Sequence, residues 1–584
     1  MRKLVISLAT ITALAYAPSL GNDFQAHDDT LLITKNPIAQ GLTFKNISAA
    51  FTTFDPELYI PLTLLSYQIE FSLFGLSPFV FHLTSLLLHI GSAILVMLIA
   101  YRLSLDRFRE PEIIAIGTGL LFALHPLNVE AVAWAAARKD ALSSFFFFAS
   151  LWAYLKMDSD KKWYRVAIAL FGLGLLSKVS IVILPFILLC TDVLRDKTKG
   201  SLRRTVPFFG LSLLFGIVAL LGKQTQFSEL TLLDLALLWC KSVTFALWKF
   251  VWPSGLNIVY DQFTPITMVR AEFYLAVALV LLLLTISVLM RKKQKIVPVC
   301  ITWFLICMLP TMATFWKNGI VFYASDRYSY IAMVGLCLLV MTYAAPYLQR
   351  YKAVGAVFVL IFAALTMRQA LTWKDTGTTY GRAVEMNPRP ILPLNNLGTY
   401  YAELGDFVTA REHYDKALAL DQRIPQTLAN IAKLLRKEGK RTEAAEWFER
   451  SIKMIPEERM LLEEDVVGYF FLGEYHEQNG DIEKAIGMFE AAALRAPQYP
   501  IPHVNLGIMY QKYRRLEEAK IALSAAVSID GKLLDARYRL AAVQAETGDF
   551  TAAIENLEYV VKKDADYEQA ALHLKKLKEM ARGS

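Results

Sequence analysis

The chain has 584 residues, 55% of them hydrophobic, with a mean hydropathy of +0.37. Soluble domains run at about 45–50% apolar, so a wholly soluble protein is excluded. The formal charge of +8 sits mostly in short basic clusters beside apolar stretches, which sets orientation in a membrane. With no zinc-finger spacing and no basic recognition helix, no nucleic-acid partner is expected.

Apolar segments of near-spanning length run in chain order at 3–20, 79–101, 112–125, 140–156, 163–177, 179–194, 205–222, 271–290, 296–314, 329–347 and 352–369. The first follows Met-Arg-Lys and is taken as a retained helix rather than a cleaved signal peptide. Placing Arg2 and Lys3 inside brings Arg102, Arg107 and Arg109, then Lys156–Arg165, then Arg195–Arg204, then Arg291–Lys295 back to the same side. This parity holds only if segment 232–252 is not counted. That segment carries Lys241, Lys249, Trp239, Trp248 and Trp252 and is expected to lie in the interface. About eleven spans result, with loops 21–78, 125–140, 223–270 and 315–328 outside. The composition turns polar near Trp373, giving two domains, 1–370 in the membrane and 371–584 outside it. The five cysteines (Cys190, Cys240, Cys300, Cys307, Cys337) all fall in or beside apolar segments. They read as small buried residues, not as a disulfide framework or metal site.

The outer loops hold the unusual polar residues. His27-Asp28-Asp29 precedes Asn36-Pro37. Crowded carboxylates near a membrane surface are tuned towards general-base work or towards holding a divalent cation. From composition alone, a solvated acidic turn or an N-cap ahead of Thr30-Leu31-Leu32 is the simpler reading. His125-Pro126-Leu127-Asn128-Val129-Glu130 is followed by Arg138-Lys139-Asp140, cations that suit a lipid phosphate or an interfacial anchor. Lys178 stands at an outer turn, against the charge rule. Ser325-Asp326-Arg327-Tyr328 opens the tenth segment, where Asp326 and Arg327 can pair with each other or Arg327 can meet a phosphate. His82 and His89 share a helix face, where packing or a buried hydrogen bond is expected.

Beyond residue 375 the sequence repeats. Gly405, Gly439, Gly480, Arg514 and Gly548 fall in one phase, followed five residues later by Ala410, Ala444, Ala485, Ala519 and Ala553. Gly398, Ala432, Gly473, Gly507 and Ala541 form a small series, and Tyr414, Phe448, Phe489, Leu523 and Leu557 a large one. The 34-residue step is that of the tetratricopeptide (TPR) repeat, with an insertion around Glu457–Asp465 and a half repeat at Tyr380 to Pro388. The fold class is therefore all-α: a polytopic membrane bundle, then an α-solenoid. Such solenoids bind peptides or proteins on a concave face, here expected to include Asn395, Lys433, Arg436, Glu474 and Glu477. A purely architectural role remains open.

The order of motifs resembles the transmembrane-and-TPR O-mannosyltransferases (the TMTC family) and their prokaryotic relatives. It rests on Phe24–Pro37, Tyr59-Ile60-Pro61-Leu62-Thr63, Phe81-His82 through His89, His125 through Glu130, Arg138–Asp140, Ser177-Lys178 and Asp326–Tyr330. The resemblance implies a GT-C glycosyltransferase fold and a polyprenyl-phosphate sugar as donor. It also implies an acid in the first outer loop serving a hydroxyl acceptor. By that analogy Asp28 or Asp29 is the base, and Arg138, Lys139, Lys178 and Arg327 hold the donor phosphate. His125, Glu130, Asp326 and His89 are supporting polar residues. The sequence departs at Ile60, where relatives often carry arginine, and at Ser325, where an acid is expected. No cofactor is required; a divalent metal at Asp28 and Asp29 is possible chemistry. The expected partners are the bilayer, the lipid-linked sugar and a protein or peptide acceptor in the repeat groove. The expected location is a bacterial inner membrane with the repeats in the periplasm, the alternative being the endoplasmic reticulum with lumenal repeats. Rival readings are a non-catalytic membrane-anchored scaffold and another lipid-linked glycan transferase or ligase.

Overall fold

A computed structural model describes residues 2–26, 28–54, 58–222, 230–317, 320–457, 459–461 and 463–583. His27 lies outside them. The chain forms two compact units, Met1–Pro393 and Leu394–Ser584, so the half repeat helix Thr376–Met386 falls within the first.

Every one of the eleven apolar segments is helical. Among the described residues six helices are long and apolar enough to cross a membrane: Arg2–Gly21, Pro78–Ser104, Ser201–Gly222, Ala271–Met290, Ile296–Thr314 and Lys352–Leu371. A seventh span results if Pro111–Ala123 and Pro126–Ala133, bent by 52°, count as one. The protein is thus a multi-pass membrane protein, but the expected count of eleven is not reached. The remaining helices are too short, too polar or too charged, as Arg138–Lys156 is with Arg138, Lys139, Asp140 and Lys156. The Leu232–Val251 helix, expected at the interface, carries Asp234, Lys241 and Lys249 and also falls outside the set. The first outer loop is less loop-like than expected, since it contains helices Phe44–Thr52 and Pro61–Phe74. The five cysteines are free, and all but Cys190 are fully buried.

Two polar clusters mark opposite ends of this unit. At one, Asp196 bridges Arg107 at 2.6 Å and Lys295, while Asp192 accepts from Tyr154, Ser201 and Arg204 at 2.7, 2.6 and 2.8 Å. The loops that carry Arg107, Arg195–Arg204 and Lys295 therefore lie together. The other cluster, around Phe81 and Arg138, lies at the start of the Pro78–Ser104 helix, whose far end leads to Arg107. At 1.5 Å per residue the two are separated by on the order of 35 Å.

The second unit stacks five helix pairs, from Ile391–Glu403/Phe407–Leu420 to Leu534–Glu546/Phe550–Lys563, and closes with Ala570–Gly583. The repeat logic is visible atom by atom. A Cβ added at Gly398, Gly473 or Gly507 would sit 2.4, 2.6 or 2.5 Å from Tyr414, Phe489 or Leu523, the large residue one phase on. Gly473→Val is expected to destabilise this unit by about 1–3 kcal/mol by overpacking against Phe489, measured by thermal unfolding. Gly405, Gly439, Gly480 and Gly548 close their first helices with φ of +81 to +84°, and Arg514 holds the same left-handed turn at +60°. Since this region costs an L-residue about 1–2 kcal/mol, Arg514→Gly is expected to stabilise the unit by about 1 kcal/mol in the same measurement. Of the groove residues, Asn395 is corrected: it is buried and donates to Thr427 at 2.9 Å, a lock between neighbouring repeats. Glu477 pairs with Lys512 at 2.6 Å in the next repeat.

Candidate active site

The site is built on the segment 121–144, in which every residue is buried. Its backbone breaks from helix at Leu124, makes a tight turn at Pro126–Asn128, a single helical turn at Val129–Ala133, and another tight turn at Ala135–Ala137 before Arg138–Lys156 begins. Pro126 explains the first break, having no amide to give a helix. The run Ala133-Trp134-Ala135-Ala136-Ala137 lets neighbouring backbone approach closely.

The first loop is laced onto this segment and onto the chain just after the last apolar helix. Asp23 N donates to Lys374 O at 2.8 Å, Gln25 Nε2 to Trp373 O at 2.9 Å, and Ala26 N to Thr376 Oγ1 at 2.8 Å. Asp29 completes the lacing: its two oxygens accept from Gln25 N and Ala136 N, both at 2.7 Å, and the residue is fully buried. Burial pushes its carboxyl up to about 7, against the two amide donors and Lys139, with Asp28 adding to the rise. Asp28 is half-buried, and its charge acts on Lys139 and Arg327. A turn of π-helix, Thr30–Thr34, follows at once, a geometry that recurs at functional sites. The two aspartates, expected to act jointly, thus occupy different environments. Each Asp29 oxygen accepts from one backbone amide. Among the described residues no group of three or more His, Cys, Asp or Glu side chains could hold a metal.

Arg138, expected at a phosphate, is instead wholly buried. It pairs with Glu70 at 2.6 Å, donates to Phe81 O at 2.5 Å, and lies over the Tyr67 and Phe81 rings at 5.0 and 5.3 Å. It braces two helices and has no face open to a ligand. Sequence reasoning missed Glu70, although a lone acid in the apolar helix Pro61–Phe74 is itself a signal that a buried partner exists.

Arg327 and Asp326 do not pair with each other. Arg327 binds the buried Glu130 through Nη1 and its own amide, the latter at 2.9 Å, and Ser325 Oγ donates to both oxygens of Glu130 at 2.8 and 2.9 Å. An acid at 325 would meet Glu130 head-on, which explains the serine. Asp326 turns away and accepts from Tyr260 at 2.8 Å. Burial, then the Glu130 charge, pushes its carboxyl well above the ordinary range. Asp140 accepts from Lys178 Nζ at 2.5 Å, and Lys139 Nζ donates to Ala136 O at 3.0 Å. Arg327 lies 4.8 Å over Trp134, which stacks on Trp373 at 5.6 Å. Sequence reading took Trp373 only as a domain boundary and did not single out Trp134.

His89 and His125 have both ring nitrogens engaged. His89 Nε2 faces the Ala123 carbonyl at 3.0 Å and so carries the proton, leaving Nδ1 to accept from Tyr330 at 2.6 Å. His125 Nδ1 accepts from Leu127 N at 3.2 Å, so Nε2 donates to Phe250 O at 3.0 Å, with the ring flat on Phe250. Asp28, Lys139, Asp140, Lys178, Glu130 and Arg327 remain as the cluster with chemical capacity.

An all-α membrane bundle carrying a buried acid-and-cation cluster, joined to a TPR solenoid, defines the class of protein. A family profile described as "Dolichyl-phosphate-mannose-protein mannosyltransferase" matches residues 61–221, and one described as "Tetratricopeptide repeat" matches residues 391–457. The chain is 23% identical over 451 residues to Protein O-mannosyl-transferase F38B6.6 of Caenorhabditis elegans, covering 72% of this chain and 63% of the relative. It is 23% identical over 518 residues to human Protein O-mannosyl-transferase TMTC1, covering 74% and 56%. A shorter stretch of 157 residues is 31% identical to mouse TMTC1, covering 25% and 16%. The chain therefore resembles the TMTC O-mannosyltransferases, and it spans about half to three-fifths of the length of the first of these curated relatives.

Proposed function

We propose that this protein transfers a hexose, mannose by analogy with its relatives, from a polyprenyl phosphate to a serine or threonine hydroxyl at the outer face of its membrane. The observation that carries the reading is the half-buried Asp28, next to the Asp29 latch and close enough for its charge to act on Lys139 and Arg327. The acceptor oxygen attacks the anomeric carbon as Asp28 takes the hydroxyl proton. The bond from that carbon to the phosphate oxygen breaks, and its electron pair leaves with the polyprenyl phosphate. Cations fixed in a water-poor site stabilise the growing negative charge without reorganisation. Lys139 and Lys178 are assigned to it, with Arg327 contributing charge; Arg138 is withdrawn from this role. The lipid tail stays in the bilayer, so the phosphate must lie at the interface, where these loops gather.

The solenoid is assigned to the acceptor protein, whose local concentration it would raise. A bacterial inner membrane with the repeats in the periplasm is the accompanying proposal. The test is transfer from polyprenyl-phosphate mannose to a Ser/Thr peptide by the full chain in nanodiscs, read by mass spectrometry. Lack of product with every polyprenyl-phosphate hexose would sink the reading. Topology reporters at Asn36 and the C-terminus are expected to report one compartment; opposite compartments would remove the solenoid from the reaction.

A further inference from the structure

Two buried polar atoms in the cluster lack a hydrogen-bond partner among the described residues: Arg327 Nε, a donor, and Asp140 Oδ2, an acceptor. They face each other at 3.8 Å, beyond hydrogen-bond length. The other ends of both side chains are committed, Arg327 Nη1 to Glu130 and Asp140 Oδ1 to the Lys178 ammonium. The ion pair with Lys178 leaves the Asp140 carboxylate able only to accept.

A group that meets both atoms from one side must therefore accept from the guanidinium and donate to the carboxylate. One oxygen at about 2.9 Å from the nitrogen and about 2.7 Å from the carboxylate oxygen spans this separation. A hydroxyl does both. A phosphate oxygen has no proton to give and would bring negative charge against Asp140. We infer that Arg327 Nε and Asp140 Oδ2 form a subsite for one hydroxyl of the donor sugar, set beside the phosphate site rather than within it. This rests on the transferase reading above, in which the acceptor's own hydroxyl is engaged by Asp28. The Trp134 ring beneath the guanidinium fixes its plane, so the subsite is rigid and selects a hydroxyl at one position of the sugar ring.

The experiment uses the full chain in nanodiscs, with polyprenyl-phosphate mannose and its 2-, 3-, 4- and 6-deoxy analogues as donors, and measures transfer and donor binding separately. The wild type is expected to lose about 100-fold or more in kcat/KM on one deoxy donor, because a site built to bond a hydroxyl rejects the analogue lacking it. Arg327→Lys keeps the charge at Glu130 but has no Nε. It is expected to lose a similar factor on the intact donor and almost nothing further on that one deoxy donor. Asp140→Asn should behave alike, with folding of both variants checked by thermal melting. A loss by Arg327→Lys that is equal on every donor would make the pair a structural brace and overturn the inference. So would a wild type that accepts all deoxy donors equally, which would leave the gap to water. Failure of the wild type to transfer from the intact donor sinks the transferase reading itself, and the subsite with it.

Discussion

Replacing Asp28 by asparagine is expected to lower the rate of transfer by about 100- to 10,000-fold, the usual contribution of a positioned general base, with donor binding nearly unchanged. Asp28 is the half-buried member of the pair, and its charge acts on Lys139 and Arg327, while Asp29 accepts from the amides of Gln25 and Ala136. Asp29→Asn is expected to act differently. An amide has one acceptor oxygen, so one of the two backbone donors, Gln25 N or Ala136 N, loses its partner. The cost is about 1–3 kcal/mol of stability, with activity falling because the loop loosens. The pH profile separates the two further. With its folded carboxyl at about 7 against an ordinary 3.8, Asp29 keeps its proton in the native state while the unfolded chain has already lost it. Stability contributed by this group is thus present below the lower value, falls as pH rises between the two, and is flat above the higher. Asparagine at 29 removes that slope, and asparagine at 28 only narrows it by the part that the Asp28 charge adds. Transfer by Asp28→Asn within threefold of wild type would exclude Asp28 as the base.

The second large effect concerns Arg138. Arg138→Met leaves Glu70 buried without its cation, a loss of about 3–5 kcal/mol for a broken buried pair, and the protein is expected to melt early or fail to accumulate. The double replacement Glu70→Leu with Arg138→Met removes both charges. Because buried ion pairs often give way to apolar residues at little or no cost, it is expected to restore most of the stability. If Arg138 is only a brace, the double variant also regains transfer to within about tenfold. A double variant that folds as well as wild type yet is inactive would return Arg138 to the phosphate. The cycle of two singles and the double isolates the pair term, since the side chains touch at 2.6 Å.

Residues 391–583 were legible in the sequence almost to the atom. A 34-residue period assigns every small residue its large partner because adjacent repeats meet the same packing problem in the same way, and Gly398 against Tyr414 is that problem solved locally. The phase even placed Arg514 in a glycine's turn, where its backbone follows the repeat rather than its side chain. The membrane helices were legible for a related reason: apolar length follows from bilayer thickness. Their number as spans was not, because short and charged helices such as Arg138–Lys156 depend on their neighbours rather than on their own hydropathy.

At the site, sequence alone assembled a list of charged residues, several of which the structure gathers around Asp140 and Arg327. It could not assign the partners. Arg138 and Arg327 look equivalent as cations beside apolar segments, yet one is closed in by Glu70 and two aromatic rings while the other keeps a nitrogen facing Asp140. Asp28 and Asp29 are neighbours in the chain, but a helical turn points one at the amide of Ala136, 107 positions away. A charge's role depends on what surrounds it. Those surroundings come from loops far apart in sequence, brought together only when the bundle closes.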